Sequence, residues 1–411
     1  FNRGPWSGKM TSPSEMVLHF ATPSYSAGTR GRFAAPAVNE PRDEKQFERM
    51  KKRIQGAWVL LTPDPEKEME PKPGQKRPTY QERQKEREET LAKWRQRLKK
   101  IQDAGALGVI SSAKLPITAM YNKDVHEWTS WADLPTLCDI KLDEHQFAEI
   151  SRMIEERQRV ELEFDIRNHF RMGPVKYHNV LGIIPGTEFP DEYVIMGGHL
   201  DAYDVASGAV DNGNGVTTAM EAARLIMAAG AKPRRTIIVG LWAAEEFGIL
   251  GSHHWVKTHQ PDLPNISAMF NRDGGPTVPN GIRVSEAMWQ DMEKVCTPVK
   301  TINPKFPFEM MKHEAREKPE GPMGSDGSVF AMYGVPAMGF ETGDPEGYDF
   351  RYREIWHTEN DYFQKSIPEY QAQASIVNAV VVYGIAQLDH LLSRDGFYLP
   401  DEPQKKDKKR K

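Results

Sequence analysis

The hydrophobic pattern of the chain changes character near residue 170. Over the first 45 residues Pro, Ser, Thr and Gly are frequent and apolar positions follow no period, which predicts extended chain. Gly56-Ala57-Trp58-Val59-Leu60-Leu61 and Leu107-Gly108-Val109-Ile110 are short continuous apolar runs and predict buried strands. Between them lies PEKEMEPKPGQKRPTYQERQKEREETLAKWRQRLKKIQDAG, whose Pro-containing first half predicts a loop. From Thr79 the run contains no Gly or Pro until its end, and Leu91, Trp94, Leu98 and Ile101 recur at spacings of three or four. This predicts a long helix with one buried stripe and a solvated charged remainder. A further helix is predicted near 143–157, with Asp143 as its N-cap and Phe147, Ile150 and Ile154 on one face.

Beyond His169, apolar runs at Tyr193–Met196, Thr236–Leu241, Ala268–Phe270 and Ala337–Phe340 alternate with helical patterns near 214–229, 246–258, 325–333 and 368–394. Alternation of this kind predicts an α/β domain whose largely parallel or mixed central sheet is flanked by helices. The boundary between the two textures is placed at 165–175.

Bulk properties narrow the class. A chain of 411 residues with 39% hydrophobic positions can bury full cores and has room for two or three domains. It contains no run of 18 apolar residues, so no transmembrane segment is expected, and FNRGPWSGKM has no signal-peptide core. The first residue is Phe rather than Met, so a processed or truncated start is expected. Cys138 and Cys296 allow one disulfide at most. The net charge is −4, but the tail Lys405-Lys406-Asp407-Lys408-Lys409-Arg410-Lys411 carries +5, leaving −9 on the rest. Residues 398–411 are read as a basic, disordered tail, and no nucleic-acid-binding motif gives the charge another use.

The candidate chemistry stands at the predicted strand ends, where open α/β sheets bind ligands. His199 and Asp201 follow the first strand in GGHLDAYDVASGAVDNG, and Asp211 opens the next helix. Glu245 and Glu246 follow the second strand, Asp273 the third, and His357 lies in Glu354-Ile355-Trp356-His357-Thr358. Each residue alone is an ordinary cap or loop residue. Together, two His and a surplus of carboxylates form the ligand chemistry of a divalent cation, which His and carboxylate make suited to zinc. So many neighbouring acids would repel one another without a cation, and two ions sharing one carboxylate would use the set economically. The chain has no G-x-S-x-G elbow, H-E-x-x-H helix, Walker loop or G-x-G-x-x-G fingerprint.

Five stretches, NVLGIIPGTEFPDEYVIMGGHLDAYDVASGAVDNGNGV, KPRRTIIVGLWAAEEFGILGSHHW, FNRDGG, GSDGSVFAMYGVPAMGF and WHTEND, resemble the co-catalytic zinc peptidases of family M28, most closely its carboxypeptidase Q-like branch. The resemblance runs in order over about residues 175–390. It implies the zinc exopeptidase (phosphorylase/hydrolase-like) fold and two zinc ions per chain. His199 and Asp273 would hold one ion, Glu246 and His357 the other, with Asp211 bridging. Asp201 would orient the imidazole with its carboxylate, and Glu245 would be the general base. The implied reaction is hydrolysis of short peptides or dipeptides with a free N-terminus, with a homodimer as a possible assembly and a secreted or periplasmic location. Residues 31–168, with AGALGVISS as their strongest stretch, resemble an inserted β-rich protease-associated (PA) domain carrying a charged helical insertion at about 64–103. Residues 1–30 would then belong to the catalytic domain, which continues over 169–397.

The chain departs from the family pattern at Gly327, Asn212 and Asn214, and at Trp356, where glutamate-carboxypeptidase relatives place an oxyanion-stabilising Tyr; Tyr348 is a candidate substitute. Two alternatives are a catalytically inactive binding scaffold and a single-zinc glutaminyl cyclase-like enzyme on the same fold.

Overall fold

The computed structural model describes residues 1–63 and 79–400. The Pro-rich half of the charged insertion and most of the basic tail lie outside them. The chain forms two compact units, one of Phe1–Val175 with Tyr203–Ser207 and Arg353–Tyr362, the other of Lys176–Ala202, Gly208–Tyr352 and Phe363–Lys411.

Among the described residues the first unit contains eight strands: β1 Trp6–Ser12, β2 Met16–Val17, β3 Phe20–Ala21, β4 Phe33–Asn39, β5 Trp58–Leu60, β6 Gly108–Ala113, β7 Cys138–Asp143 and β8 Glu161–Ile166. They make one sheet in the order β2-β1-β8-β4-β5-β6-β7-β3. Residues 1–30, expected in the catalytic domain, belong to this sheet through the antiparallel β1–β8 pair. Trp58 anchors its core: the ring meets Phe164 edge-on at 4.9 Å, and Nε1 donates to the Leu162 carbonyl at 3.1 Å. The helices are α1 Glu44–Ile54, α2 Tyr80–Asp103 and α3 Glu144–Glu155. Helix α2 starts at a Thr79/Glu82 capping box, and only Ile101 of its apolar stripe is fully buried, with Trp94 and Leu98 packed partly. Helix α3 begins on the expected cap, Asp143, which accepts from the His145 amide at 2.7 Å.

The second unit has strands β9 Val180–Ile184, β10 Phe189–His199, β11 Arg235–Trp242, β12 Ile266–Asn271, β13 Val278–Val284, β14 Glu309–Lys312, β15 Ala337–Met338 and β16 Phe340–Gly343, with helices α4 Gly213–Ala228, α5 Leu250–Thr258, α6 Trp289–Ile302, α7 Gly327–Ala331 and α8 Pro368–Ala386. The central sheet runs β15-β12-β10-β11-β9, parallel except for β9. Strands buried on both faces need apolar residues at every position, which explains the unbroken run Val194-Ile195-Met196. Val194 and Met196 pack toward Ala222 and Ile226 of α4 and Val377 and Val381 of α8, whereas Ile195 packs toward Trp255 of α5 and Phe330 of α7. The mixed sheet flanked by helices is thus the expected α/β architecture. A small sheet, β14-β13-β16, accompanies it. Neighbouring strands approach closely at Gly197, where a Cβ would fall onto the Gly240 carbonyl oxygen.

Cys138 and Cys296 are both free and buried, one in each unit. Burial pushes both thiols up to about 12.

Candidate metal centre

Three adjacent parallel strands end at one edge of the second unit's sheet, and each end delivers a polar residue. Strand β10 ends on His199, β11 runs through Trp242 into Glu245 and Glu246, and β12 ends just before Arg272 and Asp273. Pairing of His199 with Trp242 and of Gly197 with Asn271 puts these ends level. Asp211 stands at the entrance to α4. That helix is capped by Asn212, whose Oδ1 accepts from the Gly215 amide at 3.0 Å and whose Nδ2 donates to the Arg272 carbonyl at 2.8 Å. One Asn therefore ties the loop of Asp211 to the loop of Asp273.

His199 is sealed from solvent, with Nε2 3.1 Å from Asp211 Oδ1 and 3.4 Å from Asp273 Oδ1. One ligand atom from each of these three lies within 4.8 Å of the others. Burial disfavours the imidazolium, but hydrogen bonds to Asp211 and Asp273 outweigh it and push the His199 pKa up to about 12. Nδ1 donates to the Asp201 carbonyl oxygen at 2.8 Å, which turns Nε2 toward the carboxylates.

This differs from the role expected of Asp201. Its carboxylate does not meet the imidazole; Oδ1 accepts from the Glu245 amide at 3.0 Å and Oδ2 from the Glu246 amide at 3.1 Å. The chain bends directly after β10, so the carbonyl two residues beyond His199 folds back onto the ring and leaves the carboxylate free for two consecutive N–H groups. Those groups belong to a turn where a helix from 246 was expected. Ala244 and Ile249 have φ of 57° and 60°, and α5 starts only at Leu250. Amides of Gly248 and Ile249 both donate to the Glu245 carbonyl, at 2.8 and 2.7 Å, closing the turn. Left-handed backbone at two non-Gly residues costs energy and persists where surrounding bonds fix it.

Glu245 is buried, and burial pushes its pKa up to about 9, with His199 pulling the other way and Asp273 adding to the rise. Glu246 is pushed up to about 9 by burial and then by the charge of Asp211. Carboxyls crowded to this degree hold protons unless a cation replaces them. The arrangement thus has the donor set of a metal site: an imidazole nitrogen fixed toward two carboxylate oxygens, with further carboxylates beside it.

Residues 179–382 match the model of Peptidase family M28. That region belongs to the family. Among curated proteins the chain is similar to carboxypeptidase Q of Rattus norvegicus, 28% identical over 268 residues that make up 64% of this chain and 52% of the relative. It spans about half the length of the curated relatives it matches. Among solved structures it is similar in fold to a peptidase M28 precursor from Shewanella amazonensis (TM-score 0.61, 21% identity, 97% of this chain and 84% of that one). A second such structure is BSAP, a zinc aminopeptidase from Bacillus subtilis (TM-score 0.55, 18% identity, 97% and 86% covered).

In this chain the last expected ligand, His357, belongs to the first unit. Its φ is 57°, its ring centroid lies 4.2 Å from each of Tyr203 and Trp356, and its carbonyl accepts from the Ala119 amide at 3.2 Å. Asp204, in the same unit, accepts from Arg3 Nη2 at 2.8 Å and from the Ser24 hydroxyl. Asp326 had no role assigned from sequence. It is wholly buried, accepts from Ser252 Oγ at 2.5 Å, and is pushed up to about 7 by burial against that hydrogen bond. Its charge also bears on Glu245. A Ser-Asp pair in a Gly-flanked segment was its only sequence signal. Among the described residues no helix is long and apolar enough to cross a membrane.

Proposed function

We propose that the chain is a dinuclear zinc exopeptidase of the aminopeptidase or dipeptidase type, acting on short peptides with a free N-terminus. The observation that carries this reading is the His199–Asp211–Asp273 cluster, with His199 and Asp211 buried and Asp273 partly so, at the level ends of three parallel strands. His199 and Asp273 would hold one zinc ion, and Glu246 and His357 the other, as the family resemblance implies, with Asp211 shared. Zinc when bound would polarise the scissile carbonyl and make water nucleophilic at neutral pH.

The chain's own residues supply the rest. The Asp201 carbonyl, by accepting from Nδ1, keeps the His199 Nε2 lone pair free for a metal. The Asp201 carboxylate holds the Glu245 and Glu246 amides, so both side chains leave a fixed turn. Glu245, in a water-poor setting, would take a proton from the attacking water and hand it to the leaving amine. In the same reading residues 31–168 are a PA-type module, and the protein works outside the cytosol.

The test is Glu245→Gln with metal analysis. Loss of a general base lowers turnover by about 10²–10⁴-fold, while zinc content stays near two per chain. Full activity of that variant, or protein purified without bound metal, refutes the proposal. One zinc per chain with cyclisation of N-terminal Gln would point to the cyclase alternative.

A further inference from the structure

The first unit carries a groove of about 1480 Å³, lined by α2 and by residues of the 118–137 region. This exceeds the roughly 300–1,000 Å³ usual for small-molecule pockets. Leu91, Trp94, Leu98, Tyr121 and Trp128 give it apolar and aromatic surface.

Its acids are already engaged. Arg95 takes Asp124 and Glu127, each at 2.7 Å; Lys141 takes Asp139 at 3.0 Å; Lys99 takes Asp103 at 2.9 Å; and Asp133 accepts from the Thr129 and Ser130 amides. The side chains of four lining cations, Arg83, Arg87, Lys93 and Lys123, have neither hydrogen bond nor ion pair among the described residues. Arg83 and Arg87 stand one helical turn apart, a like-charge spacing that weakens a helix. Lys123 is half-buried on the loop side, where burial, then the charge of Arg87, lowers its pKa. Cations set against each other in this way gain from an anion placed between them. The contrast with the −9 carried by residues 1–404 shows that the groove is a local feature and not part of a generally basic surface.

We propose that this groove binds an acidic peptide segment. Carboxylates of the segment pair with Arg83, Arg87 and Lys123, and its apolar side chains lie on Trp94 and Trp128. A peptide fits better than a free anion because the groove is large and partly aromatic; it fits better than nucleic acid because the groove's own paired acids would repel a continuous polyanion.

The test is fluorescence anisotropy with the full chain and a labelled decapeptide of alternating Glu and Leu. The peptide is N-acetylated and C-amidated so that exopeptidase action cannot consume it. The Glu peptide is expected to bind at least about tenfold tighter than its Gln counterpart, by charge complementarity. Raising salt from about 50 to about 300 mM shortens the screening length and weakens binding. The triple variant Arg83→Glu, Arg87→Glu, Lys123→Glu loses at least about tenfold with an unchanged circular dichroism spectrum. Equal binding of the Gln peptide, or an unaffected triple variant, overturns the proposal. So does equal affinity for a single-stranded oligothymidylate, which would show a general polyanion site. Binding is read without any turnover, so failure of the peptidase reading leaves this one standing.

Discussion

Replacing Asp201 with Asn separates two roles that sequence alone would merge. If its carboxylate oriented the imidazole, the variant would lose metal at His199. In the structure the imidazole rests on the Asp201 carbonyl, which the substitution leaves in place, while the carboxylate holds the Glu245 and Glu246 amides at 3.0 and 3.1 Å. Hydrogen bonds to a charged group are worth about 1.5–3 kcal/mol each. Asn keeps one acceptor but turns an N–H toward the other amide, so roughly 2–4 kcal/mol of turn stability is lost. Removing a charge from a crowded set of carboxyls offsets part of it. The strained turn at Ala244 loosens and the Glu245 carboxyl leaves its position. Turnover of a dipeptide should fall about 10–100-fold, the usual effect of losing a support behind a metal site. The His199 tautomer read from ¹⁵N correlations should stay as in the parent, and zinc measured by mass spectrometry should not fall below one ion per chain, any loss being of the ion that Glu246, on the loosened turn, would help hold. Zinc lost with full turnover per remaining ion, or an altered tautomer, would refute the reasoning.

Other expectations follow from the same geometry. Gly197→Ala places a methyl on the Gly240 carbonyl and should yield insoluble or unfolded protein, whereas Gly182→Ala, whose Cβ would sit 3.5 Å from Val239, should leave the melting temperature within a few degrees. Ala244→Gly relieves left-handed backbone and should stabilise by up to about 1 kcal/mol in urea unfolding, whereas an Ala in regular helix would lose about that much; a clear loss would return this stretch to helix. Cys138 and Cys296, held as thiols by burial that pushes them up to about 12, should resist iodoacetamide at pH 8 in the folded protein and take two labels in guanidinium chloride; labelling of the folded protein would show that burial is wrong.

The parallel strands and their helices were legible because strands buried on both faces must be apolar throughout, and polar residues directly after such runs can only lie at the strand ends. His199 and Asp273 were placed in that way, and Asp211 as the opening of the next helix; the structure brings the three together. The turn at 243–249 was not, because Glu245-Glu246-Phe247 resembles a helix start, and the left-handed residues that break it are Ala and Ile rather than Gly. The function of Asp201 was half legible: its place was readable, but which of its oxygens faces the ring depends on a backbone bend. Asp326 escaped because its contact with Ser252 spans 74 residues. In the first unit, strands of two residues such as β2 and β3 leave no periodic trace, so the run of residues 1–30 through that sheet could not be seen in advance.

The level ends of β10, β11 and β12 bear on folding as well as on chemistry. His199 and Asp273 are 74 residues apart in the chain and become neighbours only when β12 has docked on β10 in register, and Glu245 joins them only when β11 has done the same on the other side. A slip by one residue would send His199 to the opposite face of the sheet. The cluster therefore acts as a coincidence detector for correct strand pairing. Any cation that prefers the complete donor set lowers the free energy of the native register alone, in proportion to the logarithm of its concentration over its dissociation constant. Zinc supplied during refolding would then raise the yield of correctly paired chains as well as the number of competent sites.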